Sequence, residues 1–187
     1  RGEGVYLYDE EGKRYFDASS GPITCNIGHA NPKVLEAIKD QSEKVCFASH
    51  AFFENRPNRD LAKSLVNLTG NKYDQAFFVS GGSEAIEASF KLARQYALAC
   101  GKTKKHKIIA RAPSYHGSTM GAFSASDDVE MKENFQSLTK ISIKVPAPLS
   151  YRIPDNFDAS SYARFCLDKL ERTIADEDPE EVLAFIL

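Results

Sequence analysis

From Gln75 onward, short apolar runs alternate with amphipathic stretches of roughly 12 to 18 residues, and that rhythm restricts the chain to few folds. Ala76-Phe77-Phe78-Val79, Lys107-Ile108-Ile109-Ala110, Ile141 to Val145 and Val182 to Leu187 read as strands. The last is apolar without interruption, as a strand covered on both faces of a parallel sheet must be. A helix is predicted from about Ser83 to Cys100. Ile86, Phe90, Ala93, Ala97 and Cys100 form its inward stripe, and Glu87 and Lys91 pair at i,i+4 on its outer face. Asp155 to Ser161 leads into another helix, with Tyr162, Phe165, Cys166 and Leu170 inward. Strands and helices in this order predict an α/β fold with a mainly parallel sheet.

The first seventy residues have a different character. Residues 5–8 and 13–17 read as a hairpin around Gly12. Ser19 to Ala30 is irregular. Asn31 followed by Pro32 marks a helix start, because the Asn side chain caps and Pro has no N–H to lose in the first turn. That helix is expected to reach about Val45. Phe47 to Asn55 is aromatic and loop-like. A helix over roughly 58–69 sets Leu61, Leu65 and Leu68 on one face and stops at Gly70. Both ends read as cut, since the chain enters a strand almost at once and closes on a buried one.

Charge and cysteine content narrow the function classes. The 187 residues carry 24 Lys and Arg against 26 Asp and Glu, a net charge of −2. That balance offers no footprint for nucleic acid or an anionic membrane. The longest unbroken apolar run is six residues, Val182 to Leu187, far too short to span a bilayer. Cys25, Cys46, Cys100 and Cys166 form no CxxC pair, which argues against zinc and fits reduced thiols in a cytoplasmic setting. Two disulfides in a secreted protein are the alternative. The basic run from Lys102 to Lys107 reads as a solvated loop.

Two loops carry the chemistry. Phe78-Val79-Ser80-Gly81-Gly82-Ser83-Glu84-Ala85 compresses a strand, a glycine turn and a helix start into eight residues. Glycines let the backbone approach a ligand. The first helical N–H groups have no intrahelical acceptor, and the helix dipole favours an anion beside them. This is the chemistry of a phosphate site, although neither GxxxxGK[ST] nor GxGxxG is present. The alternative is a plain turn with Ser83 as helix cap. Ala112-Pro113-Ser114-Tyr115-His116-Gly117-Ser118-Thr119 follows the strand 107–111 and so lies at its carboxyl end, where open α/β sheets bind ligands. A Tyr or His there can stack on a flat ring. A surface loop over a packed Tyr is the other reading of this segment.

Taken together, Ser80-Gly81-Gly82-Ser83-Glu84-Ala85-Ile86-Glu87-Ala88 and Ser114-Tyr115-His116-Gly117 resemble the class III aminotransferases, fold-type I enzymes dependent on pyridoxal 5′-phosphate. Gly4-Val5-Tyr6-Leu7-Tyr8-Asp9, Gly12-Lys13-Arg14-Tyr15-Phe16-Asp17 and Asn26-Ile27-Gly28-His29-Ala30-Asn31-Pro32 resemble the opening of that family, so the likeness covers nearly the whole chain in order. The resemblance implies that Gly82 and Ser83 hold the cofactor phosphate. It implies that Tyr115 stacks on the pyridine ring and that His116 and Gly117 complete the loop. Gly81 departs from the Ser-Gly-Ser or Ser-Gly-Ala common in the family. Ile23 and Phe53 match stretches that line the substrate pocket there. Residues 1–50 correspond to an N-terminal segment joining the small domain, and 51–187 to the first half of the cofactor-binding large domain.

The family's activity further implies an imine-forming Lys and a carboxylate on the pyridine nitrogen. No Lys here has a matching context, so both are expected beyond residue 187, no catalytic residue is assigned within the chain, and this stretch alone is not expected to transaminate. Partners implied are small amines or amino acids, oxo acids and a second copy of the chain. A racemase, aminomutase or lyase of the same fold and a non-catalytic relative are the alternative functions.

Overall fold

The hairpin foreseen around Gly12 opens the first of two compact units, Arg1–Ala76 and Phe77–Leu187. The computed structural model describes residues 1–70 and 72–187, without the side chains of Glu130 and Met131. In the first unit, β1 (Gly2–Glu3), β2 (Tyr6–Tyr8) and β3 (Arg14–Phe16) form an antiparallel sheet with Tyr6 opposite Phe16 and Tyr8 opposite Arg14. Gly12, at φ 83°, makes the turn. Asp9 ties it, accepting from Lys13 N–H and from the Tyr15 hydroxyl, each at 2.8 Å. After the four-residue turn α1 (Ser20–Ile23), α2 (Pro32–Ser42) starts as expected, with Asn31 Oδ1 accepting from the N–H groups of Lys33 and Val34. It stops short of Val45, where the Ser42 hydroxyl bonds back to the Lys39 carbonyl and competes with the helical ladder. α3 (Arg56–Leu68) is capped by Asn55, which accepts from Asn58 N–H at 3.0 Å, and Leu61, Leu65 and Leu68 are exposed along it.

The second unit contains α4 (Gly82–Ala99), β4 (Lys107–Ala112), α5 (Met120–Ala125), α6 (Val129–Phe135), β5 (Ile143–Pro146), α7 (Ala159–Asp176) and β6 (Val182–Ile186). β4 lies between β5 and β6, and both pairings are parallel. The apolar pattern dictates this placement. Ile109 and Ala110 of the central strand are fully buried, beside Val145, Ala122, Phe123 and Ala125. Burying a side chain the size of Phe123 is worth about 2–3 kcal/mol against leaving it in water. Lys107 anchors the start of β4 through Glu177 and Glu181, each at 2.9 Å. α7 begins with a reciprocal cap between Asp158 and Ser161, and its predicted inner face holds: Cys166 is buried, and Tyr162, Phe165 and Leu170 are half-buried.

Several further local expectations differ from the structure: β6 is an edge strand, half-buried or exposed and not fully covered, and Lys105 and Lys107 of the basic run are half-buried and bonded, not solvated. Ala76 to Val79 belongs to neither sheet: its composition is that of a strand, but a strand exists only where a neighbour supplies a ladder, and no described strand pairs with it. Cys100 is exposed, since it sits at the C-cap, past the last turn of the buried stripe. Glu87 is half-buried on the inner side of α4, with a backbone partner described below. α5 and α6 occupy a stretch whose polar and small residues gave no helical signal. Among the described residues, no helix is long and apolar enough to cross a membrane and no cluster of His, Cys, Asp and Glu is arranged for a metal. All four cysteines are free thiols.

Candidate cofactor site

Gly81 is the N-cap of α4, with extended backbone and no side chain to offer a capping oxygen. The first bonded amide of the helix is Ala85 N–H, which donates to the Gly81 carbonyl at 3.1 Å. Among the described residues, no acceptor is bonded to Gly82 N–H or Ser83 N–H. A Cβ placed on Gly82 would meet nothing within 4 Å, so the space in front of these amides is open. An 18-residue helix therefore presents its positive end uncapped. The plain-turn alternative needed Ser83 as the cap. Ser83 is inside the first turn instead, and its hydroxyl is used elsewhere.

That use joins the two loops. Ser83 Oγ accepts from Ser118 N–H at 3.0 Å. Gly117 has φ 135°, which side chains rarely adopt, and a Cβ there would fall 3.0 Å from Ser83 Cα and Cβ. Tyr115 Oη lies 3.2 Å from Ser118 Oγ, so the phenol is one residue removed from the helix start. Its residue is 72% exposed, which leaves ring surface for a ligand. The loop beneath is fixed: His116 N–H donates to Ser126 Oγ at 2.8 Å, and Ser114 Oγ donates to the Arg111 carbonyl at 2.6 Å. Ser126 itself is buried.

The electrostatics come from cations under the loop. Burial lowers the pKa of His116, and the charges of Lys144 and Arg111 lower it further. Its Nε2 is buried with no hydrogen-bond partner among the described residues. Burial also brings Lys144 down to about 8. Lys144 Nζ donates to the carbonyls of Ser124 and Ala125, at the carboxyl end of α5, where a cation is favoured. At the other end of α5, Glu87 Oε1 accepts from Gly121 N–H at 2.9 Å. Glu87 thus bolts α4 to the helix that follows the Tyr115 loop.

Of the residues named from sequence, Gly82, Ser83, Tyr115, His116 and Gly117 come together in the second unit. Ile23 and Phe53 belong to the first unit, where both are exposed, and Ile23 has a positive φ of 63°. Sequence reasoning overlooked Ser118, Ser126, Glu87 and Lys144. For Glu87 a signal existed: Ser83 and Glu87 are i,i+4, so a Ser83 facing the second loop takes Glu87 with it. For Lys144, a lone cation within a strand pattern, nothing distinguished it.

An uncapped helix start beside an aromatic loop, at the carboxyl end of a parallel strand, is an arrangement of an α/β protein with the chemistry to take a phosphate and a flat ring. The chain matches the family model described as aminotransferase class-III over residues 1–187, and it belongs to that family. It is 33% identical over its full length to a probable aminotransferase of Mycobacterium tuberculosis, spanning 40% of that protein. It is 43% identical over 138 residues, 74% of its length, to the acetylornithine aminotransferase of Aquifex aeolicus, of which it covers 36%. A crystal structure of an amine transaminase from an uncultivated Pseudomonas species, in the PLP-bound form, superposes with a TM-score of 0.92 at 29% identity. The match covers 99% of this chain and 42% of that one. The chain thus spans about two fifths of the length of its relatives, and its fold is that of the fold-type I transaminases.

Pyridoxal 5′-phosphate fits the residues present. Its phosphate needs unbonded donors at a positive helix end, which Gly82 and Ser83 supply, and room, which the bare Cα of Gly82 leaves. Its ring needs an accessible aromatic face nearby, which Tyr115 supplies.

Proposed function

We propose that the intact protein is an aminotransferase that moves an amino group from an amine or amino acid to an oxo acid or aldehyde, using pyridoxal 5′-phosphate. The observation that carries this reading is the open first turn of α4 bonded, through Ser83 and Ser118, to the loop that displays Tyr115. When bound, the cofactor supplies an aldehyde that captures amines and a ring that accepts electrons. Gly82 and Ser83 would hold its phosphate through backbone N–H groups, with the dipole of α4 behind them. Tyr115 would keep the ring flat by stacking. Gly117 gives the loop the close approach to Ser83 that a larger residue would prevent. His116, whose backbone N–H is held by Ser126 and whose pKa is lowered by burial, favours the neutral imidazole and would add no competing charge to the loop.

In the same reading, Ile23 and Phe53 line the substrate pocket. Residues 1–50 join the small domain, and 51–187 form the first half of the large one. The imine-forming Lys and the pyridine-nitrogen carboxylate come from sequence outside these 187 residues. The protein acts as a cytoplasmic homodimer, with the exposed aromatics Phe47, Phe52 and Phe53 offered to the second copy.

The test uses full-length protein loaded with pyridoxal 5′-phosphate, an amine carrying isotopically labelled nitrogen and an unlabelled oxo acid. Label appearing in the acceptor, with a visible absorption that borohydride abolishes, is the expected result. Amine consumption without labelled acceptor would assign the protein to a racemase, aminomutase or lyase instead. No visible band after loading would remove the cofactor from the account.

A further inference from the structure

The first unit carries a cluster of three titratable side chains, Asp17, His29 and Cys25, to which the transferase reading assigns no chemical role. Asp17 Oδ2 lies 2.8 Å from His29 Nε2, and Cys25 Sγ lies 3.4 Å from His29 Nδ1. The Asp17 side chain is 7% exposed and the His29 ring 22%, while Cys25 is half-buried.

The proton positions follow from the chemistry. The hydrogen bond from His29 holds the Asp17 carboxyl below its ordinary range. An ionised carboxylate can only accept, so the proton between the two sits on Nε2. In the neutral ring, Nδ1 is then the lone-pair nitrogen, and the contact with Cys25 runs from S–H to Nδ1. The base is therefore aimed at the thiol, and a carboxylate stands behind it to stabilise the imidazolium that forms.

The imidazole is also fixed in place. Gly4 N–H donates to the His29 carbonyl at 3.0 Å, and His29 N–H donates to the Gly4 carbonyl at 2.7 Å. A Cβ on Gly2 would fall 2.7 Å from His29 Cβ and Cγ, so the strand backbone packs directly on the ring. Gly28, at φ 81°, lets the chain reach this bridge, since a Cβ there would meet the Gly4 carbonyl oxygen at 2.8 Å. Asp17 is steadied in turn by the Ser19 hydroxyl at 3.4 Å. The other thiols have different surroundings: Cys46 donates to the Ser42 carbonyl, Cys166 is buried in α7, and Cys100 is exposed at a helix end.

We propose that Cys25 is a nucleophilic thiol, activated by His29 and Asp17, and that it is a modification site for hydroperoxides. Nδ1 takes the thiol proton, and the sulfur attacks the terminal oxygen of the peroxide. The O–O bond breaks, and the departing oxygen collects the imidazolium proton to leave as an alcohol or water. The sulfur becomes a sulfenic acid, oxidised by two electrons, and the hydroperoxide is reduced by the same two. This assignment is independent of the transferase reading.

Full-length holoenzyme, treated with limiting hydrogen peroxide in the presence of dimedone and mapped by peptide mass spectrometry, tests it. Cys25 is expected to be trapped at least about 10-fold faster than Cys46 and Cys100, the advantage of a base-paired thiol over a free one near neutral pH. Asp17→Asn and His29→Gln should each bring its rate down towards those of the surface thiols. Trapping of Cys25 no faster than Cys46 or Cys100 overturns the proposal. So do folded Asp17→Asn and His29→Gln proteins that keep the wild-type rate. If both variants fail to fold, the wild-type ratio alone decides.

Discussion

Ser83 Oγ accepts the backbone N–H of Ser118 at 3.0 Å, and this bond joins the start of α4 to the Tyr115 loop across 35 residues of sequence. Truncation to Ser83→Ala leaves an exposed N–H that water can serve, so the cost to stability is modest, about 0.5–1.5 kcal/mol. The larger effect is expected in cofactor binding, because the loop loses its tether. Urea denaturation and equilibrium dialysis with pyridoxal 5′-phosphate, on full-length protein, separate the two effects. A stability loss with unchanged affinity contradicts the tethering role.

Gly117→Ala tests the same contact from the other side. A side chain at φ 135° costs about 1–3 kcal/mol in backbone strain, before any clash with Ser83 is counted. Pyridoxal 5′-phosphate affinity should fall at least about 10-fold, the equivalent of 1.4 kcal/mol. Because the added methyl crowds the Ser83 hydroxyl, the penalty should be smaller when Ser83→Ala is already present. Strict additivity in that double-mutant cycle would show that the two residues do not meet.

Glu87→Ala removes the acceptor of Gly121 N–H and frees the first turn of α5. About 1–2 kcal/mol of stability should be lost, the range for losing a charged cap at a helix start. Glu87→Gln, which keeps an acceptor, should recover most of it. Equal damage from both variants, measured by thermal unfolding, would place the role of Glu87 in its charge rather than in this bond.

His116 supplies a pH dependence. Its folded pKa is depressed below the ordinary 6.5 by burial and by Lys144 and Arg111. The fold therefore favours the neutral imidazole. Its contribution to stability is present above pH 6.5 and is lost as pH falls through the folded value. A histidine NMR titration should give His116 a midpoint below 6.5, and His116→Phe should flatten the acid side of the stability profile. A midpoint at or above 6.5 contradicts the assignment.

Lys107 gives the opposite signature. Its pairs with Glu181 and Glu177 raise its pKa above 10.5, while Lys107 lowers that of Glu181 below 4.5. The Lys contribution is complete below pH 10.5 and disappears as pH rises through the folded value. The Glu contribution is complete above pH 4.5 and disappears as pH falls through its folded value. The gap in urea midpoint between wild type and Lys107→Met should thus be widest between those limits and narrow outside both. A gap independent of pH would reduce the pair to packing.

Where sequence carried a local physical signal, it read true. Asn31-Pro32 and the Gly12 turn announced themselves, as did the inward face of α7, because caps, turns and amphipathic burial are written in adjacent residues; the strand at Val182–Ile186 was legible, but its full burial was not, since β6 is an edge strand with only half-buried or exposed side chains. Ala76 to Val79 failed for the opposite reason: its apolar composition is that of a strand, but a strand needs a neighbour that no local pattern can provide. Glu87 failed because charge suggests solvent, and only the arrival of Gly121 from another loop makes the inner face polar. At the candidate site, the glycines and the aromatic loop were legible from composition and position. Ser118, Ser126 and Lys144 were not, since each acts through a partner brought near only by folding.

The central claim is that the amides of Gly82 and Ser83 take the phosphate of pyridoxal 5′-phosphate while Tyr115 faces its ring. A crystal structure of the full-length protein soaked with the cofactor measures this directly. Phosphate oxygens within hydrogen-bond distance of both N–H groups, with the pyridine stacked on the phenol, is the predicted result. A phosphate bound elsewhere, with both loops well ordered, would contradict it.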